Sequence, residues 1–448
     1  MRRVEGFSRA RSLLAREDAL ESLCASPELA ARIRLTFGEE LSAQEVVGRI
    51  VGDVRKRGDK SLFDYAKKLD GVDLDSLEVS KGEILAAYDT VGDELVSALR
   101  LSAKRIRDFH VACKVRSGIV FPSEFLGRKV APLDRVGIYV PGGTAAYPST
   151  VLMTAIPAQV AGVEEVIMVS PASRNASVAA PSLVAADVAG VQRVFKVGGA
   201  QAIAALAFGT ESVPRVDKVC GPGNVFVTLA KKMVYGSVAI DGLEGPSEIV
   251  IVADETANPA FCAADLMAQA EHDPLASVVL ITTSSGLADR VEAEIGAQLA
   301  GLERRSVISE VVGKGIIALV DDVDEAIELV NIFAPEHVSL MVSEASALVP
   351  RIRHAGCIFV GEDSPVVLGD YVDGPSHVLP TGGSARFSSP LGVGDFLKSS
   401  NIAALDRAMM RELGQAAIVI AKAEGLGAHA QAIEMRLSLG QEEANERS

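Results

Sequence analysis

The chain has 448 residues, 48% of them hydrophobic and 23% charged, a composition that excludes intrinsic disorder over most of its length. Its 44 Lys and Arg against 59 Asp and Glu give a net charge of −15, which disfavours nucleic acid as a partner because a phosphate backbone would be repelled. No run of residues is long and apolar enough for a membrane helix, so no membrane partner is expected.

Residues 1–115 are predicted to be helical, because apolar side chains recur at spacings of three and four with charged residues between them. This region holds no cluster of reactive side chains, and we interpret it as scaffold or dimer surface. His110 lies on a helix face, where a structural or solvent-facing role is favoured over metal ligation.

From Arg135 onward, short apolar runs alternate with helical patterns, which predicts parallel sheets with right-handed crossovers. A first series of strands is predicted at 135–140, 166–169, 194–197 and 216–220. A second series is predicted at 249–252, 278–282, 316–319 and 357–360. The sequence therefore predicts an α/β fold with two Rossmann-like parallel-sheet units, a helical N-terminal region and small C-terminal helical segments. The C-terminal helices, predicted at 402–423 and 429–439, are too few for a core of their own and are expected to pack on another domain or subunit.

Three glycine-containing turns follow predicted strands of the first series, at 139–143, 198–201 and 221–224. In parallel sheets ligands bind at the carboxyl ends of strands, where glycine lets the backbone approach them. The last two turns open helices, whose N-terminal N–H groups attract anions such as a pyrophosphate. Because no GxGxxG fingerprint is present, the alternative that these glycines only permit tight turns stays open.

Gln269 and His272 are three residues apart near the end of a predicted helix, so they share one face. Imidazole is a ligand that zinc favours, and Asp370 and His429 are candidates to complete a set of four N and O ligands. Glutamine is a weak ligand and a histidine at a helix end often caps carbonyl groups, so a structural role also stays open.

Glu336 and His337 follow Pro335, which ends the preceding helix and leaves the pair in extended or turn backbone. Adjacent side chains there point to opposite sides, so the two are not expected to hydrogen-bond each other. Functionally, the histidine can take a proton from an alcohol and the glutamate can activate a water. The alternative is a salt-bridging loop glutamate beside a strand-edge histidine. Cys220 is interpreted as a small buried strand-end residue, and a cysteine nucleophile is disfavoured because none adjoins Glu336 in sequence.

Together these motifs resemble those of one family, the histidinol dehydrogenases. The matching segments keep the family order. They are VGIYVPGGTAAYPSTVLM (136–153), VGGAQAIAALAFGT (197–210), CGPGNVFVTLAKK (220–232), IDGLEGPSEIVIVAD (240–254), DLMAQAEHDP (265–274), APEHVSLM (334–341), GDYVDGPSHVLPTGGSARFSSPLGVGDF (369–396) and EGLGAHAQAIEMR (424–436). The resemblance implies a zinc- and NAD-dependent enzyme that oxidises L-histidinol through L-histidinal to L-histidine, the last step of histidine biosynthesis, with two NAD+.

The resemblance also assigns roles by motif. His337 would be the base for alcohol oxidation, and Glu336 would activate the water that adds to the aldehyde. One zinc ion per subunit would be held by Gln269, His272, Asp370 and His429. Substrate would be contacted by these ligands and by Ser247, His337 and Glu424. NAD would be contacted by Tyr139, Gln201 and Asn224.

The resemblance further implies an intertwined homodimer, in which Glu424 and His429 complete the partner's site. A cytoplasmic location is expected, since the five cysteines are scattered, none is spaced as Cys-x-x-Cys, and the basic N-terminus lacks the apolar core of a secretory signal. The expected organisation is a first α/β domain at 30–138 and 249–391 with the catalytic and metal residues, a second Rossmann-like domain at 139–248 on the NAD side, a small helical domain at 1–29 and 392–416, and a C-terminal helical segment at 417–448 that reaches the partner.

Three residues depart from the family's commonest pattern: Glu244 stands for alanine, Val366 for an acidic residue and Ser376 for asparagine. These departures concern residues around the site, which orient the ligands and acid–base groups, and no candidate ligand or acid–base residue is lost. One alternative is a paralogous NAD and zinc dehydrogenase that acts on another polar alcohol, such as a sulfonated propanediol. The retained acidic Glu424 favours a cationic amine or imidazole substrate instead. A second alternative is a noncatalytic metal- or nucleotide-binding protein. Such a protein would be expected to have lost Glu336 and His337, and both are present, so this alternative is disfavoured.

Overall fold

The computed structural model describes residues 1–15, 24, 26–114, 118–120, 125–142 and 146–445. The chain forms two units, the first comprising residues 1–114 and 133–396 and the second residues 115–132 and 397–448. The strands are β1 (Arg2–Glu5), β2 (Gly118–Val120), β3 (Leu126–Pro132), β4 (Arg135–Tyr139), β5 (Glu165–Val169), β6 (Arg193–Phe195), β7 (Lys218–Cys220), β8 (Ala239–Ile240), β9 (Glu248–Ala253), β10 (Ser277–Thr282), β11 (Ile316–Leu319), β12 (His337–Met341), β13 (Cys357–Val360) and β14 (Leu397–Ala403).

The α-helices of the described residues alternate with these strands over most of the first unit. They are α1 (Phe7–Leu14), α2 (Pro27–Phe37), α3 (Ala43–Arg57), α4 (Asp59–Tyr65), α5 (Lys81–Thr90), α6 (Asp93–Ala112), α7 (Pro148–Ala161), α8 (Ala180–Ala189), α9 (Gly199–Phe208), α10 (Val225–Val234), α11 (Pro259–His272), α12 (Ser285–Leu299), α13 (Arg305–Lys314), α14 (Val323–Phe333), α15 (Ala345–Leu348), α16 (Val366–Tyr371), α17 (Arg407–Ala423) and α18 (Gly427–Asn445). In the part of the chain described here, no helix has the length and apolar character needed to cross a membrane.

A five-stranded parallel sheet forms one half of the first unit, with the strand order β6-β5-β4-β7-β8. Within this sheet the chain first forms the central strand β4, continues outward through β5 and β6, and then crosses to β7 on the other side of β4. The crevice between the carboxyl ends of β4 and β7 is therefore the topological switch point, where open α/β sheets bind ligands. Helices α9 and α3 belong to the same apolar core as this sheet.

A six-stranded parallel sheet forms the other half, with the order β1-β11-β10-β9-β12-β13. From β9 onward its winding repeats that of the five-stranded sheet, and β1 is added at one edge. Apolar clusters cover both faces, and all six residues of β9 are buried, as expected for a parallel strand between two helical layers. The prediction of two Rossmann-like parallel-sheet units is confirmed.

Two sequence-based expectations about secondary structure were wrong. Residues 2–5, predicted to be helical, form β1, which pairs with β11. The helix predicted at 402–423 begins only at Arg407, because β14 occupies 397–403 and pairs antiparallel with β3. The second unit thus contains an antiparallel three-stranded sheet, β14-β3-β2, beside the helix pair α17 and α18. The finer division into four domains stays a prediction.

Candidate active site

Glu336 and His337 lie at the amino edge of the six-stranded sheet, where β12 begins beside β9. Both side chains are buried, with 6% and 4% of their surface exposed. A positive φ of 50° at Ala334 ends α14, and Pro335 then carries the chain into the strand. The structure therefore places an acid and an imidazole at the entry of a central strand, shielded from bulk water.

The backbone of Glu248, the first residue of β9, holds both side chains. Its N–H donates to Glu336 Oε2 at 2.9 Å, and its carbonyl accepts from His337 Nδ1 at 3.0 Å. Because a carbonyl only accepts, Nδ1 carries the proton and Nε2 of neutral His337 carries the lone pair of a base. Glu336 Oε2 and His337 Nδ1 are 3.6 Å apart, too far for a hydrogen bond, as the sequence predicted. The expectation that the two side chains point to opposite sides was wrong, because both reach the backbone of Glu248.

Burial shifts the pKa of the two groups in opposite directions. It lowers the pKa of His337 to about 4, so the imidazole is neutral at pH 7. It raises the pKa of Glu336 well above its ordinary value, and the nearby carboxylates of Glu248 and Asp370 raise it further. A neutral imidazole with a free Nε2 and a carboxyl whose pKa is shifted upward are suited to proton transfer near neutral pH.

A cysteine lies closer to this pair than the sequence indicated. Cys357 is the ladder partner of His337, and its N–H donates to the Glu336 carbonyl at 2.8 Å. Burial raises the pKa of the Cys357 thiol to about 11, so it is not a thiolate at neutral pH. Burial likewise raises the pKa of the Cys220 thiol well above its ordinary value. Neither thiol has the properties of a nucleophile.

Three of the four predicted metal ligands lie in the first unit, at the ends of two helices. Helix α11 buries its apolar face on the sheet and ends at His272, so Gln269 and His272 occupy its last turn. Asp370 lies on the short helix α16. His272 Nε2 and Asp370 Oδ2 are 3.8 Å apart, against about 3.3 Å for two ligand atoms on one tetrahedral zinc ion.

The donor set is consistent with a metal ion. The Gln269 side chain is 2% exposed, and its amide nitrogen has no hydrogen-bond partner among the described residues. An unpaired buried amide is costly, and a rotation of the amide would offer its oxygen to an ion instead. When only His, Cys, Asp and Glu side chains are counted, and Gln269 is therefore left out, no group of three or more in the described residues has the geometry of a metal site.

His377 fixes the position of α16. Its Nδ1 donates to the Asp370 carbonyl at 2.9 Å, and its Nε2 lies 3.3 Å from Thr150 Oγ1 on α7. Burial lowers the pKa of His377, which favours the neutral ring that this pair of hydrogen bonds needs. The histidine thereby connects the metal-side helix to α7, and Thr150 is a member of the site that sequence reasoning missed.

The three predicted NAD residues lie at the carboxyl edge of the five-stranded sheet. The hydroxyl of Tyr139 accepts from Gly199 N–H at 3.2 Å, and burial raises the pKa of this tyrosine to about 12. Gln201 is 1% exposed, with an amide oxygen that lacks a partner in the described part of the chain. Asn224 caps α10 by accepting from the N–H groups of the helix's first turn, so its side chain also has a structural role. Gly143, in the first glycine turn, lies outside the described residues.

The remaining predicted residues are spread over both units. Ser247 is half-buried and directly precedes β9 in the first unit. Glu424 ends α17 and His429 lies in the first turn of α18, and both are exposed in the second unit. The first unit therefore holds every predicted site residue except these two.

An α/β protein with a buried carboxyl–imidazole pair at one sheet and glycine turns at the other has the features of an enzyme, and comparison with known proteins identifies its family. The family model for histidinol dehydrogenase matches residues 36–437. The chain is 50% identical over 440 residues to the histidinol dehydrogenase of Dehalococcoides mccartyi strain CBDB1, covering 98% of this chain and 100% of that protein. It is 50% identical over 403 residues to that of Aquifex aeolicus strain VF5, covering 89% and 92%.

The crystal structure of histidinol dehydrogenase from Elizabethkingia anophelis superposes with a TM-score of 0.89 at 33% identity, covering 98% of this chain and 99% of that one. The chain belongs to the histidinol dehydrogenase family and is an oxidoreductase. The resemblance stated from the motifs is confirmed.

Proposed function

We propose that the protein catalyses the last step of histidine biosynthesis, the four-electron oxidation of L-histidinol through L-histidinal to L-histidine, with two NAD+ and one zinc ion per subunit. The observation that carries this proposal is the neutral, buried His337, whose Nδ1–H is held by Glu248 so that Nε2 is available as a base. Membership of the family supports the substrate.

In the first oxidation, Nε2 of His337 accepts the hydroxyl proton of histidinol while the carbon-bound hydride passes to NAD+. The products are histidinal, NADH and one proton. The hydrogen bond from Nδ1 to the Glu248 carbonyl stabilises the imidazolium that forms, because the carbonyl dipole faces the new positive charge. Burial makes that cation short-lived, so the proton is passed on before the second cycle.

In the second oxidation, Glu336 removes a proton from a water molecule that adds to the aldehyde carbon. The hydroxide that remains forms the C–O bond and gives the hydrate anion, which loses a hydride to the second NAD+ to yield the carboxylic acid of histidine and a second NADH. Glu336 then releases the proton that it took from the water. The upward shift of the Glu336 pKa makes this carboxylate a stronger base than an exposed glutamate, and the N–H of Glu248 keeps it oriented.

Gln269, His272 and Asp370 are the residues of this chain's first unit that would hold zinc, with His429 supplied by a partner subunit. When bound, zinc would orient the substrate by its imidazole and amino nitrogens. Ser247 and Glu424 would contact substrate beside these ligands, since the Glu424 carboxylate complements a cationic amine.

NAD is expected at the switch point of the five-stranded sheet, beside Tyr139, Gln201 and Asn224. A linking segment of seven residues (241–247) leaves the carboxyl end of β8 and enters the amino end of β9. Seven residues span about 25 Å at most, so this segment keeps the carboxyl end of β8 within about 25 Å of the amino end of β9.

A homodimer is supported by the second unit, whose two helices and the turn between them expose large apolar side chains to solvent, as a subunit interface would. These side chains are Leu413, Val419, Ile420, Leu426 and Met435. Glu424 and His429 lie among them, so a partner that covers this surface would also receive these two residues. None of the five cysteines is in a disulfide bond, which suits the reducing cytoplasm proposed as the protein's location.

The experiment that tests this function measures NADH formed from L-histidinol and NAD+, before and after chelation and with zinc added back. We expect two NADH per histidinol, lost on chelation and restored by zinc. A folded, zinc-loaded dimer that produced no NADH would contradict the proposal and would direct the next assay to other polar alcohols, such as a sulfonated propanediol.

A further inference from the structure

A buried ion cluster, formed by Lys231, Asp241 and Glu244, lies behind the turn that follows β7, and the reaction above does not use it. Lys231 Nζ is 2.5 Å from Asp241 Oδ1 and 2.6 Å from Glu244 Oε2. The three side chains are only 1%, 3% and 9% exposed. Burying these charges costs free energy, and a buried ion pair of this kind adds little net stability. A role in geometry therefore explains the cluster better than a role in stability.

The cluster binds both polar groups of one glycine in the predicted dinucleotide turn. Lys231 Nζ donates to the Gly221 carbonyl at 3.1 Å, and the Gly221 N–H donates to Asp241 Oδ2 at 2.6 Å. Gly221 has a φ of +112°, and a Cβ built there would lie 2.1 Å from the Tyr139 carbonyl oxygen. The turn is thus fixed between the ion cluster on one side and the end of β4 on the other, at the switch point.

Glu244 adds a connection to the catalytic edge. It lies in the linking segment, where its carbonyl also accepts from Thr228 Oγ1 of α10 at 3.0 Å. The same segment leads directly into Glu248, whose backbone holds Glu336 and His337. One short stretch of chain therefore contacts the dinucleotide turn at its start and the acid–base pair at its end.

One ammonium group faces two carboxylates in this cluster. Burial and the Asp241 charge raise the pKa of Glu244 to about 7, while Lys231 opposes the shift. The Lys231–Asp241 pair directly holds Gly221, whereas Glu244 contacts the lysine from the side of the linking segment. Lys231 is consequently the member whose loss would release the turn.

We propose that Lys231 is a positioning residue for the dinucleotide: with Asp241 and Glu244 it holds the turn 221–224 in the geometry that receives NAD+. The proposal rests on the proposed function, because it takes this turn as the NAD site. Lys231 acts through the peptide of Gly221 and not by touching the cofactor.

The test removes one positive and one negative charge together, in the double variant Lys231→Met with Glu244→Leu. We expect the Kd for NAD+, measured by calorimetry in the absence of histidinol, to rise about tenfold, the cost of one lost charged hydrogen bond. The KM for NAD+ should rise equally, while the KM for histidinol and kcat at saturating NAD+ stay within about threefold of wild type. Lys232→Met is the matched control, because Lys232 is the exposed neighbour on the same helix.

A folded double variant with wild-type affinity for NAD+ would overturn the proposal. Should that variant fail to fold, Lys231→Arg takes its place, since a guanidinium keeps the charge but not the compact three-donor geometry. An unchanged Kd in that variant would likewise overturn it. Wild-type protein that neither binds NAD+ nor oxidises histidinol would instead contradict the proposed function itself.

Discussion

The two parallel sheets have the same winding but use opposite edges. The five-stranded sheet presents its carboxyl edge, where glycine turns follow β4, β6 and β7. The six-stranded sheet presents its amino edge, where Glu248 and His337 begin β9 and β12. The proposed cofactor site therefore follows the usual rule that ligands bind at carboxyl ends, and the proposed catalytic site does not.

The carboxyl edge of the six-stranded sheet is closed by its own residues. At its switch point, Asp254 follows β9 and its carboxylate accepts from the N–H of Ser343, which follows β12, at 2.9 Å. The same carboxylate accepts from the N–H of Thr256 at 2.9 Å. A carboxylate thus occupies the crevice in which a bound anion would otherwise lie. The two sheets share one strand order but carry their proposed sites at opposite edges. Strand order alone therefore does not locate a site, because local side chains determine which edge stays open.

The sharpest test of the catalytic edge is to change its acid–base pair. His337→Asn should lower kcat for histidinol by about 10²–10⁴-fold, because the proposed base for the hydroxyl proton is removed. Glu336→Gln should cause a loss of similar size in the oxidation of supplied histidinal, since that step needs an activated water. Steady-state kinetics on both substrates check the assignment.

Each variant should also lose more activity on one of the two substrates than on the other. His337→Asn is expected to impair the alcohol step more than the aldehyde step, and Glu336→Gln the reverse. Equal losses of each variant on both substrates would contradict the division of roles. Cys357→Ser is the matched control and should retain turnover, because Cys357 pairs with His337 in the sheet and burial raises the pKa of its thiol to about 11.

The metal side of the same edge gives the next largest effect. His272→Ala should abolish turnover and lower bound zinc, measured by elemental analysis, because a ligand of the orienting ion is removed. The melting temperature should change little, since the His272 side chain is 40% exposed and belongs to no core. His354→Ala is the matched control, because His354 lies between α15 and β13 and is not one of the predicted ligands. Unchanged zinc content in His272→Ala would count against the ligand assignment.

Most strands of the two parallel sheets could be predicted from sequence, because each is a short buried apolar run next to a helix, but β8 and β12 were not predicted. The strands predicted at 316–319 and 357–360 coincide with β11 and β13. β1 and β14 could not be predicted, because each is a largely exposed strand whose pairing partner lies far away in the chain.

The candidate site was predictable only where side chains carry the signal. Glu336, His337, Gln269 and Asp370 are marked by residue type and motif. The contribution of Glu248 comes from its backbone N–H and carbonyl, which every residue except proline possesses, so no pattern marks it. The placement of Cys357 beside His337 follows from the pairing of β12 with β13, which residue type does not mark, so it was also missed.

On the cofactor edge, Gly221→Ala should weaken NAD+ binding and lower the melting temperature. A Cβ at this position would lie 2.1 Å from the Tyr139 carbonyl, so the turn has to move. Gly236→Ala separates this clash from backbone strain, because Gly236 also has a positive φ, of +98°, but no atom within 4 Å of the added Cβ. Gly236→Ala should cost about 1–2 kcal/mol of stability and leave NAD+ affinity unchanged. Equal NAD+ affinities in the two variants would show that the close approach does not shape the site.

The smallest expected effect is on the pH dependence of stability, and it concerns His110, a buried histidine outside the proposed site. His110 on α6 is 2% exposed, which excludes the solvent-facing alternative, and burial lowers its pKa to about 4. A histidine whose pKa is lower in the folded than in the unfolded chain contributes stability above the unfolded pKa of about 6.5 and loses it as the pH falls toward 4. From pH 7 to pH 5, His110→Leu should therefore lose about 2 kcal/mol less unfolding free energy than wild type, with turnover unchanged. Urea unfolding at both pH values measures the difference, and parallel curves for the two proteins would mean that His110 is not the group that titrates.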